Sequence, residues 1–232
     1  PYCRADERYS EAYVRANLAE RLACLGTSKL DQLQLHTWTR AWNRDPTPFK
    51  LLRRLQREGL IGLIGLSTPE QDQNSVIDLM RGGWIDSVQV IYNLFEQEAA
   101  AELLDVAQEC GVGVIVRVVF DEGALTGKFT KETHFAHDDF RAKYFEGDRV
   151  ARIIPRVEAL KQDLAGSGYT LPQAAIKWVL AHPAVSTVIP GMRNAAQAAA
   201  NCAVSDLPAM PDKLVERLRR HNWRRGVWYG GK

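Results

Sequence analysis

The sequence predicts an α/β fold built on parallel strands, and two observations carry that expectation. Short apolar or β-branched runs recur at LDQLQLH, LIGLIGLS, DSVQVIY, VGVIVRVV and VSTVI. Longer segments with apolar residues at helical spacing separate them, so strand and helix alternate. Strands joined through helices pair in parallel by right-handed crossovers.

From Glu7 to Leu25, Tyr13, Leu18, Leu22 and Leu25 recur at helical spacing, and Gly26 supplies the left-handed residue that ends a helix. Leu30 to His36 reads as a strand. Pro46 and Pro48 open a helix through LLRRLQREG that stops at Gly59. LIGLIGLS is too short and too glycine-broken for a helix, and is expected as a strand buried on both faces. A helix from about Pro69 to Met80, the strand DSVQVIY, a helix from about Gln97 to Cys110 and the strand VGVIVRVV continue the pattern. Phe129 to Asp148 is weakly patterned, a loop with one short helix. Helices then cover about Val150 to Leu164 and Leu171 to His182, where Trp178 falls on the core face. The strand Val185 to Ile189 ends at Pro190-Gly191, before helices at about Asn194 to Val204 and Pro211 to His221.

A chain of 232 residues with 46% hydrophobic content can bury one large core, and no linker divides it. Lysine and arginine total 30 against 28 acidic residues, so a net +2 gives no basis for a nucleic-acid surface. Arg217, Arg219, Arg220, Arg224 and Arg225 read as a solvated helix face and tail. Cys3, Cys24, Cys110 and Cys202 have neither zinc-site spacing nor disulfide density, so no metal is expected and reduced thiols are. No apolar run approaches the ~18 residues of a membrane span, and PYCRADERYSEAY lacks a signal-peptide core. The expected location is the cytoplasm. The chain starts without Met and within a helical pattern, so further sequence is expected upstream. Nothing in the sequence fixes an oligomeric state.

Five strands in this alternation fit an open doubly wound sheet or part of an eight-stranded barrel. A dinucleotide-binding doubly wound sheet calls for G-x-G-x-x-G after its first strand, and Gly62 and Gly65 have the wrong spacing. Leu25-Gly26 leading to LDQLQLH, then REGLIGLIGLS, IDSVQVIYNL, EGALTGK and LPQAAIKWVLAHPAVSTVIPGMR, occur in an order that resembles the aldo-keto reductases, in particular a bacterial branch. The resemblance covers nearly the whole chain. It implies one incomplete (β/α)8 TIM barrel over residues 1–232, with the fourth to eighth strands present and the first three missing.

In such a barrel the C-terminal strand ends and the loops after them build the site. The resemblance gives His36 the role of polarising a substrate carbonyl. Ser67 and Gln89 match positions that hydrogen-bond the nicotinamide carboxamide. Thr68 stands where the family usually has Asn, and Arg117 where many members stack an aromatic ring on the nicotinamide. A guanidinium plane can stack too, or can hold a carboxylate such as Asp121 or Glu122. Gly123, Leu125, Gly127 and Lys128, in GALTGK, match the cofactor loop, whose small residues let backbone N–H groups approach a pyrophosphate.

Gly191 and Arg193 precede a helix whose free N–H groups make an anion site. In the family the arginine pairs with the 2′-phosphate of NADPH, while Gln197 and Asn201 approach the adenosine; Ala200 replaces the usual glutamate. NADP(H) is therefore the expected cofactor. Trp38 and Trp42 are expected at the mouth of a pocket for a small carbonyl substrate. The resemblance implies NADPH-dependent reduction of an aldehyde or ketone, with the acid tyrosine outside this chain. A nucleotide-binding regulatory or interaction subunit without turnover is the alternative.

Overall fold

The computed structural model describes residues 9–36, 38, 43–70, 72–223 and 225. Helix α1 (Glu11–Leu25) starts where Ser10 accepts the Tyr13 N–H and ends at Gly26 in the left-handed conformation. Strand β1 (Leu30–Leu35) leads through α2 (Thr47–Arg57) to β2 (Ile61–Ser67). Helix α3 (Ile77–Arg81), β3 (Ser87–Ile91), α4 (Leu103–Glu109) and β4 (Gly113–Arg117) follow. Then come α5 (Phe140–Tyr144), α6 (Arg149–Leu164), α7 (Leu171–Leu180), β5 (Val185–Val188), α8 (Ala195–Cys202) and α9 (Asp212–Arg219).

The five strands form one parallel sheet in sequential order β1-β2-β3-β4-β5. Its register sets two unlike faces. Leu33 lies opposite Ile64, Leu66 opposite Val88 and Val90 opposite Val116, and the last five are fully buried beneath the helices. The other face presents Gln34 opposite Gly65 and Ser67 opposite Gln89. There Gln32 donates to Gln34 (3.2 Å) and Gln34 to Gln89 (3.0 Å), satisfying the amides along the sheet. The expectation of a β2 buried on both faces is corrected, because Leu63 is 48% exposed on the glutamine face.

Several expected helices are shorter. The Pro69 to Met80 pattern resolves into a 3₁₀ turn at Gln73–Val76 and α3, and the Gln97 to Cys110 pattern into a 3₁₀ turn at Glu98–Ala101 and α4. Buried Gln73 explains the first, since its amide donates to the Ile91 carbonyl and accepts the Ile91 N–H, tying the turn to β3. Thr170 and Gln173 form a reciprocal cap that starts α7 where the sequence places it. Trp178, on that helix, is core as expected, and its indole N–H donates to the Val215 carbonyl of α9. Among the described residues no helix is long and apolar enough to cross a membrane.

After α9 the chain turns back over the sheet end. The Trp223 N–H donates to the Phe95 carbonyl (2.8 Å), its ring meets Phe95 edge-on, and the Arg156 guanidinium lies 4.0 Å over it. Arg225 then reaches Asp121 at 2.7 Å, with both side chains fully buried. Arg225 is thus no solvated tail residue. Arg217, Arg219 and Arg220 do face solvent, and Arg224 lies outside the described residues.

Candidate functional site

A cleft of about 630 Å³ opens beyond the C-terminal ends of β4 and β5. Its first wall is the segment after β4, with Val118, Phe120, Glu122, Gly123, Thr126 and Lys128. Its second is the turn after β5 and the start of α8, with Gly191, Arg193, Gln197 and Asn201. Asp139, Phe140 and Arg141, at the start of α5, complete it. Six of the residues singled out in the sequence therefore meet in one cavity: Gly123, Lys128, Gly191, Arg193, Gln197 and Asn201.

The first wall is conformationally unusual. Val118, Asp121 and Glu122 have φ of 58°, 48° and 55°, and Gly123 has 105°. Three non-glycine residues in that region within five positions store strain that the surroundings must hold. The Asn93 amide donates to the Val118 carbonyl, and the Gly123 and Leu125 N–H groups donate to that of Phe120. Asn93, at the end of the β3 strand pattern, is fully buried and organises this turn.

The second wall is held by a hydrogen-bonded helix start. Asn194 caps α8 by accepting the Gln197 N–H (2.9 Å), and the Gln197 side chain accepts the Arg193 N–H (2.7 Å). Gln197 thereby fixes the backbone that carries Arg193. The Asn201 amide nitrogen is buried with no hydrogen-bond partner among the described residues, a donor facing the cavity.

Charges of both signs face the cavity. Burial, then the neighbouring carboxylates Asp121 and Glu70, push the Glu122 carboxyl up to about 7, while Arg117 and Arg141 oppose that rise. Hydrogen bonds from Arg141 hold the Asp139 carboxyl at about 2, with Arg193 adding a smaller effect. The sequence gives no sign of the Asp139–Arg141 pair, and it offers Glu122 only as a partner for Arg117, not as a cleft residue. Asp139 gives a cap signal ahead of FRAKY, accepting the Arg141 N–H, but nothing local tells that this helix borders the cleft.

The other expected site residues lie along the strand ends, outside the cavity wall. His36 follows β1 and is exposed. Ser67 and Thr68 are buried, and the Thr68 hydroxyl is engaged with Gln73 and the Gln89 carbonyl. Gln89 receives the Gln34 amide. Arg117 holds neither Asp121 nor Glu122; it pairs with Glu70 (3.5 Å) and donates to the Thr68 carbonyl (3.3 Å), because the Asp121 carboxylate is taken by Arg225. Leu125 is fully buried, so its side chain belongs to the core. Gly127 stands behind the wall, where its carbonyl accepts from Lys161. Trp38, half-buried, packs its ring against Phe49, 6.1 Å between centroids, and Trp42 lies outside the described residues.

Among the described residues no group of histidine, cysteine and carboxylate side chains could hold a metal ion, and Cys24, Cys110 and Cys202 are free thiols. The family model described as "Aldo/keto reductase family" matches residues 3–222. This chain belongs to the aldo/keto reductase family. It is 25% identical over 222 residues to the NADH-specific methylglyoxal reductase of Escherichia coli K12, covering 89% of this chain and 65% of that protein. It is 28% identical over 213 residues to a D-threo-aldose 1-dehydrogenase of a Pseudomonas species, covering 89% and 61%. The chain therefore spans less than two thirds of the length of these curated relatives. The holo form of an aldo-keto reductase from Bacillus halodurans superposes with a TM-score of 0.73 at 22% identity, over 94% of this chain and 70% of that one. That likeness assigns the fold to the (β/α)8 barrels of the family.

Proposed function

We propose that the protein to which this chain belongs is an oxidoreductase that reduces an aldehyde or ketone with NADPH. The observation that carries the reading is the single cleft joining GALTGK to the Arg193–Asn201 segment, since the two sit some 70 residues apart and share one chemistry. The cavity volume falls in the ~300–1,000 Å³ range usual for ligand sites. The unpartnered Asn201 donor, the N-terminus of α8 and the cations Lys128 and Arg193 fit a polyanionic dinucleotide.

A dihydronicotinamide bound there supplies a hydride. The chain's own residues hold and orient. Arg193 faces the phosphate at the adenosine end, which favours NADPH over NADH, while Gln197 and Asn201 approach the adenosine. The backbone of Gly123, Leu125 and Gly127 with Lys128 receives the pyrophosphate. Ser67, Thr68 and Gln89 hold the carboxamide, with Arg117 against the ring. His36, at the end of β1, donates an imidazole N–H to the substrate carbonyl oxygen. In this reading β1 to β5 are the fourth to eighth barrel strands, and the acid tyrosine lies outside these 232 residues.

The test is an assay of NADPH and NADH consumption by the protein against a broad panel of aldehydes and ketones. Turnover that disappears in His36→Ala with dinucleotide affinity retained supports the reading. Saturable binding without turnover of any carbonyl would instead support a regulatory, nucleotide-binding role.

A further inference from the structure

The C-terminal tail touches two of the segments that border the cleft, the one after β4 and α5, through one side chain, although that side chain does not line it. The Arg225 guanidinium donates to Asp121 at 2.7 Å and lies 3.4 Å from the Tyr144 hydroxyl. Asp121 sits between Phe120 and Glu122, which face the cavity; Tyr144 closes α5, whose Phe140 and Arg141 face it too. The side chains of Arg225 and Asp121 are 1% and 0% exposed, and 104 residues separate them.

We infer that Arg225 is a positioning residue for the dinucleotide: held by Trp223, it locks Asp121 and so fixes the strained Val118–Gly123 backbone against which the pyrophosphate and nicotinamide end pack. The inference rests on the dinucleotide reading of the cleft. Residues with φ of 48° to 58° persist only where neighbours over-determine them. A buried ion pair contributes more to fixing one arrangement than to net stability, and removing one partner leaves the other charge buried and uncompensated. Trp223 sets where the guanidinium enters, since its backbone is tied to Phe95 and its ring lies under Arg156. The adenosine end is built separately, because Arg193 and α8 are fixed by Asn194 and Gln197.

That separation gives the test. The full chain is titrated calorimetrically with NADPH and with adenosine 2′,5′-bisphosphate, a fragment that reaches only the second wall. Arg225→Met and Asp121→Asn are expected to weaken NADPH about tenfold while the bisphosphate changes less than about twofold, with Arg225→Lys intermediate. Equal weakening of both ligands, or of neither, overturns the inference. Amide exchange over residues 118–127 is read in parallel on Arg225→Lys and Asp121→Asn, which keep charge or shape should Arg225→Met fail to fold. Faster exchange confined to that loop supports the lock, and unchanged exchange overturns it. A wild-type chain that binds neither ligand overturns the dinucleotide reading, and the exchange measurement still decides the lock.

Discussion

The side chain of Gln197 accepts the backbone N–H of Arg193 at 2.7 Å, while the backbone N–H of Gln197 is itself capped by Asn194. The residue expected to touch adenosine thus also fixes the arginine expected to touch phosphate. Replacing Gln197 with alanine frees that backbone at the loss of one hydrogen bond, worth ~1 kcal/mol. NADPH affinity should fall about fivefold in a calorimetric titration, with the folded structure intact by circular dichroism.

In the proposed reading Arg193 carries the discrimination between the two dinucleotides. A charge-assisted contact to a phosphate is worth ~1.5–3 kcal/mol, or roughly tenfold to a hundredfold in affinity. Arg193→Ala should weaken NADPH by that factor and leave NADH within about twofold. Equal effects on both would move Arg193 away from the 2′-phosphate. The comparison matters because one similar protein is described as NADH-specific.

Glu122 makes the cleft pH-sensitive. Its carboxyl is raised from its ordinary 4.5 to about 7, so the folded chain binds this proton more tightly than the unfolded chain. The resulting stabilisation is complete below about pH 4.5 and is lost as pH rises to about 7. Melting temperature should carry a component that falls across this window, and Glu122→Gln should remove it. The ionised carboxylate also opposes bound phosphates, so NADPH affinity should decline as pH rises through about 7 in the wild type and stay flatter in Glu122→Gln.

Gly62 tests the sheet apart from the site. A Cβ there would lie 2.5 Å from the Asp31 carbonyl oxygen of β1, a backbone atom that cannot rotate away. Gly62→Ala should cost ~1–3 kcal/mol in urea unfolding, as overpacking does, while the folded fraction keeps its NADPH affinity.

The sheet was legible because its strands are written in runs such as IGLIGLS and VIVR, whose Leu66, Val88, Val90 and Val116 have no stable place but beneath helices. The start of α7 at Leu171 was legible because the signal that fixes it, the Thr170–Gln173 cap, is local. What escaped is non-local. Arg225 shares its composition with the solvated Arg217, Arg219 and Arg220, and only the turn at Trp223 buries it against Asp121. Glu122 acquires its properties from burial beside Asp121 and Glu70, and Asp139 and Arg141 join the cleft through the path of a loop with no periodic pattern. The two segments that the resemblance assigns to a cofactor meet in one cavity, and that meeting is a product of the fold.

Amide chemical-shift mapping of the chain with NADPH decides whether one dinucleotide spans the cleft. A dinucleotide lying there gives concerted, saturable shifts in two separate stretches, Gly123–Lys128 and Gly191–Asn201. Shifts confined to one of them, centred elsewhere on the sheet, or absent at saturating dinucleotide would contradict that placement.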